Sequence, residues 1–279
     1  MQNNKTNVIL SHSPLGKKST YINTYTPSLL FPLPRKKKRD EIGISDPLPF
    51  EGFDFWTGFE ISWLNLKGKP IVAIGKFRIP AHSKYLIESK SFKLYLNSFN
   101  HSQFESFDEV KEMMKKDVSN ALESSADVCL YSLDQGPKTI TEPKGFCLDH
   151  LDIECNQYLP EVSYLKTEKE WMIESFHTNL LKSNCLVTGQ PDWGTIEINY
   201  EGRKISHSGF LKYIVSLRNH NEFHEQCVER IFMDIMNQCK PKNLSVYARY
   251  TRRGGLDINP FRTNLNIEFQ NIQDRFVRQ

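Results

Sequence analysis

The chain has 279 residues, a net charge of +3, 39% hydrophobic residues and 25% charged residues. This balance is typical of a soluble globular protein with one or two domains. So small a net charge gives no argument for nucleic-acid or membrane binding. No apolar run reaches the roughly 20 residues of a membrane-spanning helix, and the first residues do not resemble a signal peptide. We therefore expect a cytoplasmic protein.

The spacing of cysteines and glycines excludes several common sites. The six cysteines form no Cys-x-x-Cys pair and, with the scattered histidines, no zinc-like spacing, so we expect neither a disulfide framework nor a bound metal. No G-x-G-x-x-G follows a strand, and no Walker loop is present. A nucleotide cofactor, if one binds, is therefore not held in the Rossmann manner.

The first 50 residues are predicted to be an irregular lead-in, because they are rich in Ser, Thr, Asn and Pro. The basic run Arg35–Arg39 could contact a phosphate or an acidic partner, but such a run is more often a solvated charge cluster. Pro32 and Pro34, just upstream, argue against a helix leading into it.

Two strands, 58–66 and 70–79, are predicted after the lead-in, with a hairpin turn at Lys67-Gly68. Apolar residues alternate with polar ones over 87–99, which predicts a further strand. Ser106 and Glu109 predict the start of a helix, and 127–133 has the pattern of another strand.

The C-terminal half shows the same order of elements. We predict strands over 195–200 and 203–206 on either side of a turn at Glu201-Gly202, then a strand over 210–217. A helix is predicted from about 222 to 239, followed by a strand over 244–251.

A shift of 119 residues aligns four identical pairs: Lys93 with Lys212, Asn100 with Asn219, His101 with His220, and Phe104 with Phe223. Together with the repeated order of elements, these identities predict an internal duplication. We expect an α+β protein of two related modules, each an antiparallel sheet with helices on one face. The predicted ranges are 1–50 for the lead-in, 51–145 for the first module and 146–279 for the second.

The segment 183–194, SNCLVTGQPDWG, is the strongest candidate for chemistry. Its glycines and proline predict a loop, where catalytic groups often lie. An ionised Cys185 is a strong nucleophile, and Asp192 could fold back across the loop to deliver a proton. The alternative, which the spacing alone favours, is a buried cysteine and a turn-capping aspartate.

His224 and Glu225 open the predicted helix 222–239. A carboxylate at a helix N-terminus is stabilised by the helix dipole, and its two oxygens can accept two parallel hydrogen bonds. The adjacent N–H donors of a guanine-like ring fit such a carboxylate. The alternative is that Glu225 serves only the start of the helix.

Two further segments carry charge. Residues 88–93 place hydroxyls and lysines on the predicted strand 87–99, with Lys90 on the face opposite Ser89 and Lys93. The segment Arg249–Gly255 combines arginines with two glycines, a pattern that suits phosphate groups. A half-exposed edge strand and a solvated loop are the respective alternatives.

These segments resemble the NADPH-dependent 7-cyano-7-deazaguanine reductases in their long, two-module form. The resemblance is carried by ESKSFKLYLNSFN at 88–100, SNCLVTGQPDWGT at 183–195, NEFHEQCVERI at 221–231 and YARYTRRGGLDINPFR at 247–262. It extends from about Leu48 to Asn264, and no motif position departs from the family pattern. The resemblance implies the tunnelling fold, in which each module is an antiparallel sheet carrying a pair of helices.

The resemblance also implies a mechanism and the residues that carry it. The Cys185 thiolate would attack the cyano group to give a thioimide, Asp192 would donate the proton, and NADPH would deliver hydride twice. The implied substrate-binding residues are Ile87, Glu88, Ser89, His224 and Glu225. The implied NADPH-binding residues are Ser89, Lys90, Arg253 and Gly254. One site per subunit would then lie between the modules, and the product would enter queuosine synthesis for tRNA.

Two other functions are weighed against this one. A tunnelling-fold cyclohydrolase acting on a purine nucleotide shares the purine-anchoring glutamate, but it needs zinc held by Cys and His. A tRNA-binding module would use Arg35–Arg39 and Arg249–Arg253 and would bind RNA in a salt-dependent way. With the reductase preferred, we expect a homodimer that binds 7-cyano-7-deazaguanine and NADPH, with no direct nucleic-acid contact and no membrane contact.

Overall fold

The computed structural model describes residues 13–14, 16–136, 139–266 and 275–279. The chain is mixed α+β and forms two compact units. The first unit contains the described residues up to Lys38, Phe55–Gly136 and Arg253–Leu256; the second contains Arg39–Asp54, the described residues from 139 to Arg252, and those after Leu256. The predicted ranges include residues 1–12, 15, 137–138 and 267–274, which lie outside the described residues. The division at residues 50 and 145 stays a prediction.

The regular elements before residue 137 are, in chain order, β1 (Pro32–Pro34), α1 (Arg35–Glu41), β2 (Glu51–Leu64), β3 (Pro70–Pro80), β4 (Tyr85–Ile87), α2 (Ser89–Ser98), α3 (Phe107–Leu122) and β5 (Asp127–Tyr131). Those after residue 138 are β6 (Phe146–Cys147), β7 (Thr167–Asn184), β8 (Pro191–Ile205), α4 (His207–Ser216), α5 (His224–Cys239), β9 (Asn243–Tyr250) and β10 (Leu256–Thr263). Short 3-10 turns span Pro27–Leu29, Leu148–His150, Val162–Tyr164 and Leu217–Asn219.

In the first unit, β3 lies between β2 and β5 and pairs antiparallel with β5. The predicted hairpin turn is confirmed: Asn65 N donates to Lys69 O at 2.9 Å, and Gly68 has φ +77°. Only glycine adopts such a φ without strain. Alternate residues of β2 are buried, so one face of this strand packs into the core.

The predicted strand over 87–99 is wrong, because Ser89–Ser98 forms the helix α2. The predicted strand over 210–217 is wrong for the same reason, since it lies largely within α4. Both helices keep a partly exposed side, but each is only 10 residues long, which is too short for that side to show a clear helical period in the sequence. In α2 the apolar residues then happen to alternate with polar ones, as in a strand. One consequence is that Lys90 and Lys93, three residues apart, lie on the same side of α2.

In the second unit the strand order is β10-β9-β8-β7-β6, antiparallel except for the short β6–β7 pairing. The predicted turn at Glu201-Gly202 is wrong, because β8 runs straight through and Gly202 pairs with Met172. Glycine is required at this position because a side chain would collide with a neighbouring residue, and not because the chain turns here. A Cβ at Gly202 would lie 2.8 Å from the Cα of Pro241.

Apart from β1, α1, β4, β6 and β10, the two units share one order of elements, two strands followed by two helices and a strand, with helices of 10 and 16 residues in each. Tyr95 donates its hydroxyl hydrogen bond to Asp117 at 2.8 Å, and Tyr213 does the same to Asp234 at 2.6 Å. The offset is 118 residues at the tyrosines and 117 at the aspartates. The 119-residue shift predicted from the sequence is therefore one or two residues longer than the offset within the helices.

The basic run is helical and partly buried, which corrects the prediction of a solvated cluster. The helix α1 begins at Arg35, directly after Pro34, since a proline preceding the first helical turn removes no intrahelical hydrogen bond. Arg35 is buried, and its Nε donates to Ser83 Oγ at 3.1 Å. Arg39 is also buried. The acidic partner of Arg39 is Glu229 of the same chain, at 2.6 Å.

Glu229 is the centre of a buried ionic network in the second unit. Its carboxylate contacts Arg39 and also Arg262, the latter at 2.8 Å, while Arg262 lies 2.8 Å from Asp54. Both guanidinium groups lie over the ring of Phe50, each at 5.5 Å. Burial disfavours the charged form of Arg262, but the charges of Asp54 and Glu229 outweigh it and raise the pKa of that guanidinium. The two positive and two negative charges balance, as a buried cluster requires.

Glu229→Gln is expected to destabilise the fold, because it removes the negative charge that contacts two buried guanidinium groups. Breaking a buried pair in this way costs about 3–5 kcal/mol. Urea unfolding of the variant measures the loss. Glu168→Gln is the control, since Glu168 pairs with Lys204 at the surface and such pairs contribute about 0–1 kcal/mol. Equal midpoints for the two variants would contradict a structural role for the network.

Candidate active site

Cys185 lies in the loop that joins β7 to β8 in the second unit. The last ladder pair before the loop is Asn184 with Pro191. Within it, Cys185 N donates to Gln190 O at 2.8 Å, and Gly189 N donates to Cys185 O at 3.0 Å. Gly189 supplies the positive φ, +66°, that this turn needs. The loop is thus closed by its own backbone and holds Cys185 in a buried position.

Asp192 lies at the base of the same loop, as the second residue of β8. It pairs with Ser183 across the β7–β8 ladder, so both side chains lie on one face of the sheet. Its carboxylate is almost fully buried. The hairpin therefore brings the predicted acid back toward the end of the strand that leads into Cys185.

His224 and Glu225 are the first two residues of α5, and both are largely shielded from solvent. Glu225 lies at the positive end of the helix dipole, which stabilises its carboxylate. His224 Nε2 is 3.3 Å from Asp192 Oδ1. The angle is outside hydrogen-bond geometry, and among the described residues that nitrogen has no hydrogen-bond partner. The structure thus brings together two predicted site residues, Asp192 and His224, from separate elements.

The start of α5 is tied to the cysteine loop through Asn184. Asn184 N donates to His220 O at 2.8 Å, and Glu222 N donates to Asn184 O at 3.1 Å. The side-chain amide of Asn184 also donates to Asn221 at 3.1 Å. The residue before Cys185 is therefore bonded to the segment that leads into His224.

Glu222 is a buried carboxylate that the sequence analysis missed. It accepts a hydrogen bond from Arg230 Nε at 2.9 Å and lies 3.0 Å from His220 Nε2. Burial works against the charged form, but His220 and Arg230 outweigh it and lower the pKa of Glu222. The ion pair joins the approach of α5 to its second turn. In the sequence, Glu222 is a glutamate two residues before His224, and its residue type alone does not distinguish it from a surface glutamate.

Tyr250, the last residue of β9, was also missed. Its ring stacks on the His224 ring, with centroids 4.0 Å apart and planes 20° apart. Its hydroxyl is buried beside Ser183 and Cys227, but neither the Tyr250 nor the Ser183 hydroxyl oxygen forms a hydrogen bond of good geometry within the described parts of the chain. Burial and the neighbouring Glu222 charge raise the pKa of the Cys227 thiol to about 12, so this thiol is protonated at neutral pH.

Ile87, Glu88 and Ser89 lie in the first unit, where β4 passes into α2. The Glu88 carboxylate caps α2, accepting hydrogen bonds from Lys90 N at 2.6 Å and Ser91 N at 2.8 Å. Burial raises the pKa of Glu88 even though these two hydrogen bonds and the nearby lysines lower it. A carboxylate offers about four acceptor positions, so capping the helix leaves capacity for a ligand.

The residues expected to bind NADPH also lie in the first unit. Arg253 and Gly254 belong to a turn that closes through Arg253 N to Leu256 O at 3.0 Å and is held by Phe59 N to Gly255 O at 2.8 Å. Gly254 has φ +56°, and a Cβ there would lie 3.3 Å from the side chain of Lys93. Lys90 follows Ser89 at the start of α2. Cations beside an exposed glycine backbone suit a phosphate group, so these residues fit the cofactor.

Among the described residues, no cluster of three or more His, Cys, Asp or Glu side chains could hold a metal ion. Of the helices described, none has both the length and the apolar character needed to cross a membrane.

Comparison with protein families gives two matches that together span most of the chain. The family described as "Nitrile reductase, 7-cyano-7-deazaguanine-reductase N-term" matches residues 21–130, and the family described as "QueF-like protein" matches residues 191–268. A crystal structure of the archaeosine synthase QueF-Like in the apo form covers 36% of the chain with a TM-score of 0.31 and 14% identity. That overlap is too weak to support an argument.

Several curated proteins named NADPH-dependent 7-cyano-7-deazaguanine reductase are similar to this chain over nearly its whole length. The protein of Cupriavidus necator is 55% identical over 260 residues, covering 91% of this chain and 94% of its own. That of Dechloromonas aromatica is 57% identical over 254 residues, covering 90% of each. That of Burkholderia multivorans is 54% identical over 258 residues. The resemblance stated from the motifs is confirmed: this chain belongs to the family of NADPH-dependent 7-cyano-7-deazaguanine reductases.

Proposed function

We propose that this chain reduces the nitrile of 7-cyano-7-deazaguanine to an aminomethyl group through a covalent thioimide on Cys185. Family membership selects this reaction over the cyclohydrolase and the tRNA-binding module, and makes the chain an NADPH-dependent oxidoreductase. The observation that carries the covalent route is the cysteine loop itself. The loop buries Cys185 and has Asp192 at its base, 3.3 Å from His224.

The proposed capture step conserves atoms and protons. The Cys185 sulfur forms a bond to the nitrile carbon, and the carbon–nitrogen triple bond becomes a double bond. The thiol proton passes to the Asp192 carboxylate and Asp192 delivers a proton to the nitrile nitrogen, so the step is neutral overall. Covalent capture splits a difficult reduction into easier steps, because a protonated thioimide accepts hydride more readily than a nitrile. A buried carboxylate is suited to this acid–base work.

Residues of both units are assigned roles in this proposal. Glu225 and His224, with Ile87, Glu88 and Ser89, bind the deazaguanine; Ser89, Lys90, Arg253 and Gly254 bind the cofactor. When bound, NADPH supplies the two hydrides that turn the captured nitrile into a primary amine. The product then enters queuosine synthesis for tRNA.

Both units are proposed to be tunnelling-fold modules, and the repeated order of two strands, two helices and a strand supports this. We also propose that the chain forms a homodimer and acts in the cytoplasm. The direct test of the function is the fall in NADPH absorbance on adding 7-cyano-7-deazaguanine. Preserved NADPH in the presence of folded protein and substrate would contradict the proposed function.

Glu225→Gln is expected to weaken substrate binding by roughly one to a few powers of ten, while NADPH binding stays nearly intact. The change turns one acceptor into a donor that faces a donor of the deazaguanine, and an unpaired buried group costs about 1–3 kcal/mol. Calorimetric titration in a Cys185→Ala background measures affinity without covalent capture.

The matched control for Glu225 is Asp108→Asn. Asp108 is the second residue of α3, as Glu225 is of α5, but it is exposed and pairs with Lys111. Its replacement should leave substrate affinity unchanged. Unaltered affinity in Glu225→Gln would mean that this carboxylate serves only the helix start.

Lys90→Ala and Arg253→Ala are each expected to raise the KM for NADPH by about tenfold or more, because hydrogen bonds to charged groups contribute about 1.5–3 kcal/mol. The KM for the nitrile should change much less. Lys204→Ala is the control, since Lys204 pairs with Glu168 at the surface of the second unit. Equal use of NADH and NADPH by the wild type would contradict a role for these cations with the extra phosphate.

A further inference from the structure

Tyr250 is buried at the centre of the second unit's site, yet no step of the proposed reaction uses it. It ends β9 and pairs with Gly194 of β8, two residues beyond Asp192. Residues two apart on a strand face the same side, so the Tyr250 ring lies on the same face of the sheet as Asp192. His224 approaches this face from α5 and stacks on the ring.

We propose that Tyr250 is a positioning residue: its ring is the platform that fixes the imidazole of His224 against the Asp192 carboxylate. The inference rests on the proposed function, because it assigns Tyr250 a part in the protonation that accompanies nitrile capture and reduction.

The stacking geometry supports a platform. Ring centroids 4.0 Å apart with planes 20° apart leave the two faces in contact, which is closer than most aromatic pairs. The second side-chain torsion of histidine is broad in the absence of such contacts. Since α5 sets only the position of the His224 backbone, the Tyr250 face is what sets the tilt of the imidazole. That tilt places Nε2 at 3.3 Å from Asp192.

The ring, rather than the hydroxyl, carries this role. Burial raises the pKa of the Tyr250 hydroxyl well above its ordinary value, and the neighbouring Cys227 and Asp192 raise it further. The hydroxyl therefore stays protonated at neutral pH. The hydroxyl is directed toward Ser183 and Cys227. We therefore do not assign it the role of the acid.

Gly194 gives a second, independent observation. A Cβ at Gly194 would lie 3.2 Å from Cδ1 of Tyr250 and 3.2 Å from Cδ2 of Leu181. These are tighter than most real contacts, so a side chain there would push the ring from its place. The glycine that follows the cysteine loop thus keeps open the space in which the platform lies.

The test compares two replacements of Tyr250. Tyr250→Met keeps much of the volume but removes the ring; we expect kcat to fall about 10- to 100-fold, as small misplacements of catalytic groups do, and the KM for the nitrile to rise as well, because His224 is also assigned to deazaguanine binding. Tyr250→Phe restores the ring and should recover most of kcat. Tyr247→Met is the matched control, because Tyr247 is a buried tyrosine of the same strand on the opposite face, and its loss should leave kcat nearly unchanged.

A spectroscopic readout separates positioning from general loss of structure. In proton NMR of histidine-labelled protein, ring current from Tyr250 should shift the His224 ring signals upfield in the wild type and in Tyr250→Phe. In Tyr250→Met they should return toward ordinary positions. His224→Gln identifies these signals.

Three results would overturn the inference: no upfield shift in the wild type, a Tyr250→Phe variant as impaired as Tyr250→Met, or an unchanged kcat in folded Tyr250→Met. Should Tyr250→Met not fold, the NMR shift of the wild type and the kcat of Tyr250→Phe relative to the wild type still decide. Failure of the proposed function looks different, because the wild type would then form no adduct at Cys185 whatever the NMR shows.

Discussion

Cys185→Ala is expected to abolish covalent capture of 7-cyano-7-deazaguanine and to reduce turnover by on the order of 10⁴- to 10⁶-fold, as loss of a nucleophile does. The proposed reaction cannot begin without the sulfur, and no other group in the loop 185–190 is a comparable nucleophile. Without NADPH, intact-protein mass spectrometry should show the wild type gaining the mass of the substrate. The alanine variant should keep its own mass.

The control is Cys155→Ala, which removes a half-buried thiol of the same unit. It should form the adduct and turn over normally. An unmodified wild type at saturating substrate would rule out the thioimide. An adduct that persists in Cys185→Ala would place the nucleophile elsewhere.

Asp192→Asn is expected to reduce kcat by about 10²- to 10⁴-fold, the usual contribution of a general acid. The amide keeps the shape of the buried side chain but cannot deliver a proton to the nitrile nitrogen. Substrate affinity, measured by titration in a Cys185→Ala background, should change little, because the proposed contacts to the deazaguanine come from other residues.

Asp234→Asn is the matched control, because Asp234 is another aspartate of the second unit whose carboxylate is partly buried. Asp234 accepts the Tyr213 hydroxyl hydrogen bond at 2.6 Å and has no proposed catalytic part. Its loss should lower stability but not kcat per folded molecule. Normal turnover by Asp192→Asn would reduce Asp192 to a residue of the hairpin base.

Local signals in the sequence predict several elements correctly. The Lys67-Gly68 turn lies between β2 and β3 as expected, and Ser106 caps α3 by accepting a hydrogen bond from Glu109 N at 3.2 Å. The Glu109 carboxylate accepts a hydrogen bond from Glu105 N rather than from Ser106 N, so a reciprocal capping box is only half formed. Turns and caps are predictable because the deciding residues lie within four positions of one another.

The helices α2 and α4 show where local signals fail. Each is a helix of only 10 residues, shorter than the window of about 11–18 residues over which a helical period becomes clear. The periodicity then no longer separates helix from strand. Only packing against the rest of the unit decides, and the family resemblance, which implies a pair of helices in each module, was the better guide.

The candidate site likewise contains residues that the sequence predicts and residues that it does not. Its loop, with Cys185 and Asp192, is recognisable from glycine, proline and motif spacing, because a hairpin loop is a local structure. Tyr250 and Glu222 lie within the segments 247–262 and 221–231 that carry the family resemblance, but residue type alone assigns neither of them a role. Their roles depend on which side chains they meet: Tyr250 is 26 residues from His224 along the chain, and its ring becomes a platform only when β9 and α5 pack together.

By itself, the sequence determined the family, the α+β class, the repeat, the cysteine loop and the residues to which chemistry is assigned. These follow from motifs, turns and caps, which depend on neighbouring residues. Only the tertiary structure decided that Asp192 meets His224, that Tyr250 supports that imidazole, and that Arg39 is buried against Glu229, 190 residues away along the chain. The physical reason is that a buried charge or ring is stabilised by partners that are distant in sequence, and packing alone selects them.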